Sequence, residues 1–455
     1  MSTLIYFKVF LLACLSLLPF FKEKGFKFYN PICLLSVIYF IEFGVPSLYM
    51  TINPKVFWFY NFDGETINRG LTFILLVYLF FLAGFYAPQY NKNLKNIINF
   101  ILKHLPNINT FSLRINNLPL VLIMLIFAGW ISRIILIKLG IYLHVEAGDI
   151  ELRLGGLRKY TQILFIGSLL PILALTLVFF EWLKQPARKP LLIISSLLLI
   201  LEILYALPSG SKERVLMPIF LILILYSIKY KPPLLPTIFS VVFLLLFIFP
   251  FTTTYRLIYS GHIISDFQSA LSIYINSFRG LNKNFVNELF FGIFGERFNY
   301  ALIVSRIVED TPRIWDFKLG STYALFFISI IPRLLWPGKP DIAILGNDFG
   351  IDYGFISSYD FSTSVGMTWI GEMFINFGWW GILFAFFYGL FYQIIYRYFM
   401  RGGKLTALST ILYIFTLYYM LRGDMFAAQF GGLLKLYFVA FIVFLPFIKR
   451  VKISK

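Results

Sequence analysis

A chain of 455 residues with 59% apolar, 20% aromatic and only 14% charged side chains cannot cover itself in water, since soluble proteins carry roughly a quarter charged residues. The mean hydropathy of +0.79 agrees, and the implied solvent is lipid. Two cysteines, Cys14 and Cys33, and three histidines exclude a disulfide scaffold and a cysteine- or histidine-based metal cluster, and the placement of the +18 net charge makes a nucleic-acid partner unnecessary.

Apolar stretches long enough to cross roughly 30 Å of hydrocarbon lie at 4–20, 32–50, 70–87, 118–139, 161–183, 191–208, 215–228, 234–251, 369–396, 405–421 and 428–448. They predict an all-α polytopic membrane protein, one integral domain over residues 1–455, with 11 helices. The first stretch reads as a span and not a signal peptide, because Lys22, Glu23 and Lys24 follow it in place of a small-residue cleavage site. Alternate connections carry the cations: Lys22, Lys24 and Lys27; Lys92, Lys95, Lys103 and Arg114; Lys184, Arg188 and Lys189; Lys229 and Lys231; Arg397, Arg401 and Lys404. With the basic tail and after subtracting Glu23, these account for the whole +18. The positive-inside rule then puts the N-terminus outside and the C-terminus in the cytoplasm.

Residues 252–368 fall on the outer side. Their nine Lys/Arg balance ten Asp/Glu, so charge exerts no pull to the inside. Within them, 288–307 is apolar but interrupted by Glu296 and Arg297, and 322–336 is apolar but only about fifteen residues long; both suit re-entrant or interfacial helices. A full crossing by the first would require a second, raising the total to 13. The Asn-rich stretch 91–117 holds a helix at 94–105 expected on the membrane surface. No phosphate-cradling GxxxxGK[ST] motif occurs, which excludes ATP as an energy source for this chain.

Charges that topology does not require are candidates for chemistry. Pro208-Ser-Gly-Ser-Lys-Glu-Arg214 is a tight outer turn opening a helix; its small residues, helix N-terminus, Lys212 and Arg214 make an anion site, or else a hairpin whose cations snorkel. Arg256 ends one outer helix, Arg279 lies four residues before Lys283, Arg333 and Lys339 belong to Ile331-Pro-Arg-Leu-Leu-Trp-Pro-Gly-Lys-Pro340, and Arg422 closes another helix. Converging, these cations would bind a phosphate-bearing ligand; singly, each reads as snorkelling or paired. Asp341, Asp348, Asp352 and Asp360 lie in a Gly- and Tyr-rich stretch suited to sugar or headgroup contact, or to solvent alone. Glu372 starts a membrane helix, where a carboxylate is paired, protonated or catalytic. His262 and His144 are the outer histidines. Asp63 and Glu65 only weakly imitate an acidic metal motif.

The Gly-Ser-Lys-Glu-Arg turn, the 331–340 motif and Gly371-Glu-Met-Phe-Ile-Asn-Phe-Gly-Trp-Trp-Gly381, in a chain with one large late periplasmic loop, resemble the Wzy-type O-antigen (oligosaccharide repeat unit) polymerases. The resemblance spans the whole layout through short motifs. It implies a metal-independent, cofactor-free glycosyltransferase of lipopolysaccharide biosynthesis in the bacterial inner membrane. Its substrates would be undecaprenyl-diphosphate-linked oligosaccharides among membrane lipids, and its partners a chain-length regulator and a flippase. Lys212, Arg214, Arg256, Arg279, Arg333, Lys339 and Arg422 would neutralise the leaving diphosphate. Glu372, Asp348 or His262 would take the acceptor proton. Direct displacement and a covalent intermediate both stay open. The rival readings are a flippase or exporter, for which no repeated halves appear, and a ligase-type transferase, whose histidine motif has no counterpart here.

Overall fold

A computed structural model describes residues 2–55, 63–113, 118–139, 160–209, 211–232, 244–258, 263–279, 290–297, 299–331, 342–360, 363–401 and 405–450, together with 237, 287, 335–336 and 338–340. Eight of its helices are long and apolar enough to cross a membrane: Ser2–Lys22, Pro31–Ile52, Gly64–Tyr90, Leu118–Lys138, Ile163–Lys184, Lys189–Ser209, Thr368–Phe399 and Phe426–Phe447. The remaining expected spans fare differently. Ala407–Leu421 is apolar but only 15 residues long. The span at 215–228 is the inner part of Lys212–Lys229, and 234–251 lies largely outside the described residues.

The chain divides into two compact units, Met1–Arg114 with Phe298–Lys455, and Ile115–Arg297. In the first, helix starts carry the side chains that orphan N–H groups require. Asp63 Oδ1 accepts from Thr66 N at 2.8 Å to open Gly64–Tyr90. Asn299 accepts from Leu302 N to open Tyr300–Asp310, and Thr406 with Ser409 forms a capping box before Ala407. Gly64–Tyr90 crosses Gly381–Phe399 backbone to backbone: a methyl group on Gly84 would overlap the Phe386 carbonyl, and one on Gly389 the Phe81 carbonyl. Small residues allow this approach, which lipid, being as apolar as leucine, does not otherwise drive.

The two segments expected to be irregular on the outer side differ in kind. Tyr300–Asp310 is a buried helix pressed onto Gly64–Tyr90, where Gly70 has room only because it lacks a side chain against Ser305. Ser321–Ile330 is a short apolar helix packed on Phe426–Phe444, with Ser329 against Gly431. The helix Lys92–His104 is amphipathic, burying Ile98 and Leu102 and exposing Ile97 and Phe100. After it, Phe111–Leu113 pairs antiparallel with Ile448–Arg450 as a short ribbon.

In the second unit, Leu170–Lys184, Lys189–Ala206 and Lys212–Lys229 pack as successive neighbours. Phe249–Ile258 and Ile263–Arg279 join through Phe251, Tyr255, Ala270 and Tyr274. Its core holds a buried ion pair. Arg133, 1% exposed, gives two hydrogen bonds to Glu202, 4% exposed, at 2.8 and 2.7 Å. Its third edge reaches Ser168 O at 3.1 Å, and its face lies 3.9 Å from the Tyr205 ring.

Candidate functional site

Residues 369–396 read as one span in the sequence. In the structure the helix ends at Phe377, passes through the turn Gly378–Trp380, and restarts at Gly381. Gly378 adopts φ 56°, which a side chain disfavours. The carbonyls freed by the break are used: Lys318 N donates to Ile375 O and Leu319 N to Asn376 O. Each residue of the half-helix Thr368–Phe377 up to Asn376 is buried.

Glu372 lies in this half-helix and is fully buried. Its carboxylate is held by neutral donors, Thr322 Oγ1 on Oε1 and Phe426 N on Oε2, each at 2.7 Å. Thr322 stands in the first turn of Ser321–Ile330 and Phe426 opens Phe426–Phe444. The carboxylate therefore sits at two helix N-termini, the favourable end of each dipole for negative charge. Asn376, one turn on, completes the network by donating to Thr322 Oγ1 and to Glu372 O, both at 2.7 Å, while accepting from Gly320 N at 2.8 Å. Trp369 stacks on Tyr388 below, 5.2 Å between rings.

Arg422 adjoins this network. Trp369 N donates to Gly423 O at 3.1 Å, so the turn Arg422-Gly423-Asp424 is fastened to the half-helix that carries Glu372. Arg422 and Asp424 lie 3.9 Å apart with side chains 35% and 25% exposed.

The other expected site residues are distributed. Lys339 is buried, its ammonium bound to Ser329 O and Ile331 O at 3.1 and 2.9 Å. It caps the far end of the helix whose first turn holds Thr322, roughly 10 Å along the axis from Glu372's contact. Asp348 is exposed on Ile342–Asp352. Asp352 accepts from Trp315 Nε1 at 2.8 Å and Asp360 from Thr363 N at 2.9 Å, so these two serve local folding. Lys212, half-buried, and Arg214, exposed, occupy the first turn of Lys212–Lys229, as the sequence implies. Arg256 and Arg279 lie on helices with side chains outside the described set; His262, Arg333, His144, Lys283 and Asp341 lie outside the described residues altogether.

Asp63, which weakly suggested a metal ligand, is a helix cap. The Thr66 amide and hydroxyl hold its carboxyl below the usual range. Glu65 pairs with Arg69 at 3.1 Å, and Arg69 also reaches Glu309 at 3.3 Å. Among the described residues no group of three or more His, Cys, Asp or Glu is placed to hold a metal ion.

Sequence reasoning passed over Glu42, Arg133 and Glu202. The signal was present: Glu42 and Glu202 are the single charges within the apolar runs 32–50 and 191–208, and Arg133 interrupts 118–139 well before Lys138.

A mainly helical chain with eight membrane-length helices among the described residues, one of them broken around a buried carboxylate, defines a multi-pass membrane protein. The chain belongs to the family described as Domain of unknown function (DUF8712), which it matches over residues 134–454. No curated protein and no solved structure matches it.

Proposed function

We propose that the protein polymerises undecaprenyl-diphosphate-linked oligosaccharide repeat units by glycosyl transfer on the periplasmic face of the bacterial inner membrane. One observation carries the reading. The 371–381 segment, part of the resemblance to repeat-unit polymerases, folds as a broken half-helix with an inward carboxylate beside a turn that carries Arg422 and Asp424. Irregular backbone at membrane depth is tolerated only where protein or a water-filled cavity surrounds it. In this reading 11 to 13 helices cross the membrane, the N-terminus is periplasmic, the C-terminus cytoplasmic, and 252–368 is the periplasmic loop. In the first unit Arg422 neutralises the diphosphate as the anomeric C–O bond breaks, which needs no metal.

The same broken helix favours a second reading, a flippase or exporter, since half-helices at membrane depth are a transporter device. Two measurements separate them. Deletion in the native host leaves single repeat units on the surface for a polymerase and none for a flippase. Purified protein with lipid-linked repeat units yields a polymer ladder for a polymerase; translocation without elongation in liposomes selects the transporter. Reporter fusions at Lys103, Lys189 and Lys404 are expected inside, and at Asp63 and Asp348 outside.

A further inference from the structure

Glu42 lies eleven residues into Pro31–Ile52, roughly 16 Å along a 22-residue helix, and so near its middle. The backbone there, Phe40–Gly44, is a π-helical turn, a distortion that recurs at functional sites because it turns one side chain out of register. Among the described residues the Glu42 carboxylate accepts no hydrogen bond and forms no ion pair. The residue is half-buried. A carboxylate inside a membrane helix is a functional-site candidate, and with no hydrogen-bond or ion-pair partner among the described residues Glu42 is open to water or substrate.

The facing element agrees. Gly423, at φ 70°, opposes Glu42: a Cβ on it would sit 3.7 Å from Glu42 Oε2. The preceding helix Ala407–Leu421 has only 15 residues, about 22 Å against roughly 30 Å of hydrocarbon. The Arg422-Gly423-Asp424 turn that ends this short helix thus sits beside mid-helix Glu42 and carries two charged side chains that are 35% and 25% exposed.

We propose that Glu42, Arg422 and Asp424 line a water-filled cleft open to the periplasm, in which Glu42 is the catalytic residue that takes the acceptor hydroxyl's proton; this rests on the glycosyl-transfer reading. The acceptor O–H bond breaks and its proton passes to the Glu42 carboxylate. The acceptor oxygen forms the new bond to the anomeric carbon, and the bond from that carbon to the diphosphate oxygen breaks with its electron pair leaving on phosphate. Arg422 meets the charge that develops there. Proton release to water restores Glu42. Glu372 is less suited to this role, because it is fully buried and both its oxygens are already engaged.

The test has two arms. In a Cys14→Ser, Cys33→Ser chain, Glu42→Cys is exposed to a membrane-impermeant methanethiosulfonate from the periplasmic side, with the buried Phe43→Cys as control. Modification at 42 but not 43 is expected; protection of both overturns the cleft. In the second arm, purified Glu42→Gln is expected to polymerise about a hundred- to ten-thousandfold more slowly than wild type, with Glu42→Asp intermediate, at matched protein abundance. Undiminished polymer from Glu42→Gln overturns the proton-acceptor role while glycosyl transfer stands. Absence of polymer from wild type fails the functional reading and this role with it, and thiol modification still decides the cleft.

Discussion

Replacing Glu372 tests whether its carboxylate holds the fold together. The wild-type carboxylate satisfies a buried hydroxyl, Thr322, and a buried helix-opening amide, Phe426. In Glu372→Gln the amide oxygen still accepts from Phe426 N, and the NH₂ group donates to Thr322 Oγ1. The two charge-assisted bonds, each worth about 1.5–3 kcal/mol, become neutral bonds of about 0.5–1.5 kcal/mol, and the Thr322 proton loses its acceptor. A loss of about 2–4 kcal/mol is expected. Glu372→Ala orphans both donors at about 1–3 kcal/mol each and adds a cavity, so about 3–6 kcal/mol is expected. The assay is unfolding of the detergent-solubilised protein beside abundance in membranes. Glutamine falling between wild type and alanine supports the anchoring role. Alanine with wild-type stability would refute it.

Other outcomes follow from the packing. Arg133→Met leaves the Glu202 carboxylate buried without its guanidinium, and breaking such a pair costs about 3–5 kcal/mol; adding Glu202→Leu should recover most of that, and a double variant no more stable than Arg133→Met refutes the pairing argument. Gly84→Ala drives a methyl group into the Phe386 carbonyl and should cost about 1–3 kcal/mol by overpacking, whereas Gly292→Ala, with open space around it, should unfold with wild type. Asp63→Ala removes a helix cap worth about 1 kcal/mol. Because the folded Asp63 carboxyl titrates lower than its unfolded counterpart, its contribution is fully present above about pH 4 and fades as pH falls through the lowered folded value. A pH-independent gap between wild type and Asp63→Ala would contradict this.

Much of the architecture was legible because hydropathy is additive along the chain. Eight membrane-length helices, the short apolar helix after residue 320 and the amphipathic helix after Asn91 each follow from residues adjacent in sequence. Local caps are equally short-range: Asp63 needs only Thr66 three residues on. The break inside 369–396 was half-legible, marked by Gly378 and Gly381, but no periodicity says whether a glycine-flanked membrane segment stays straight; the amides of 318–320 that receive its loose ends decide that.

What the sequence by itself determined is therefore the class, a helical chain built for lipid with its excess positive charge gathered in alternate connections. What only the tertiary structure decided is which polar groups meet. Glu372 meets Thr322 and Phe426 from 50 and 54 residues away, and Arg133 meets Glu202 across 69; Lys339 reaches the carbonyls of Ser329 and Ile331, and Glu42 is left with no protein partner among the described residues. Burial in lipid is set residue by residue, but satisfying a buried charge requires a second group at hydrogen-bond distance, and folding alone brings that group from a distant part of the chain.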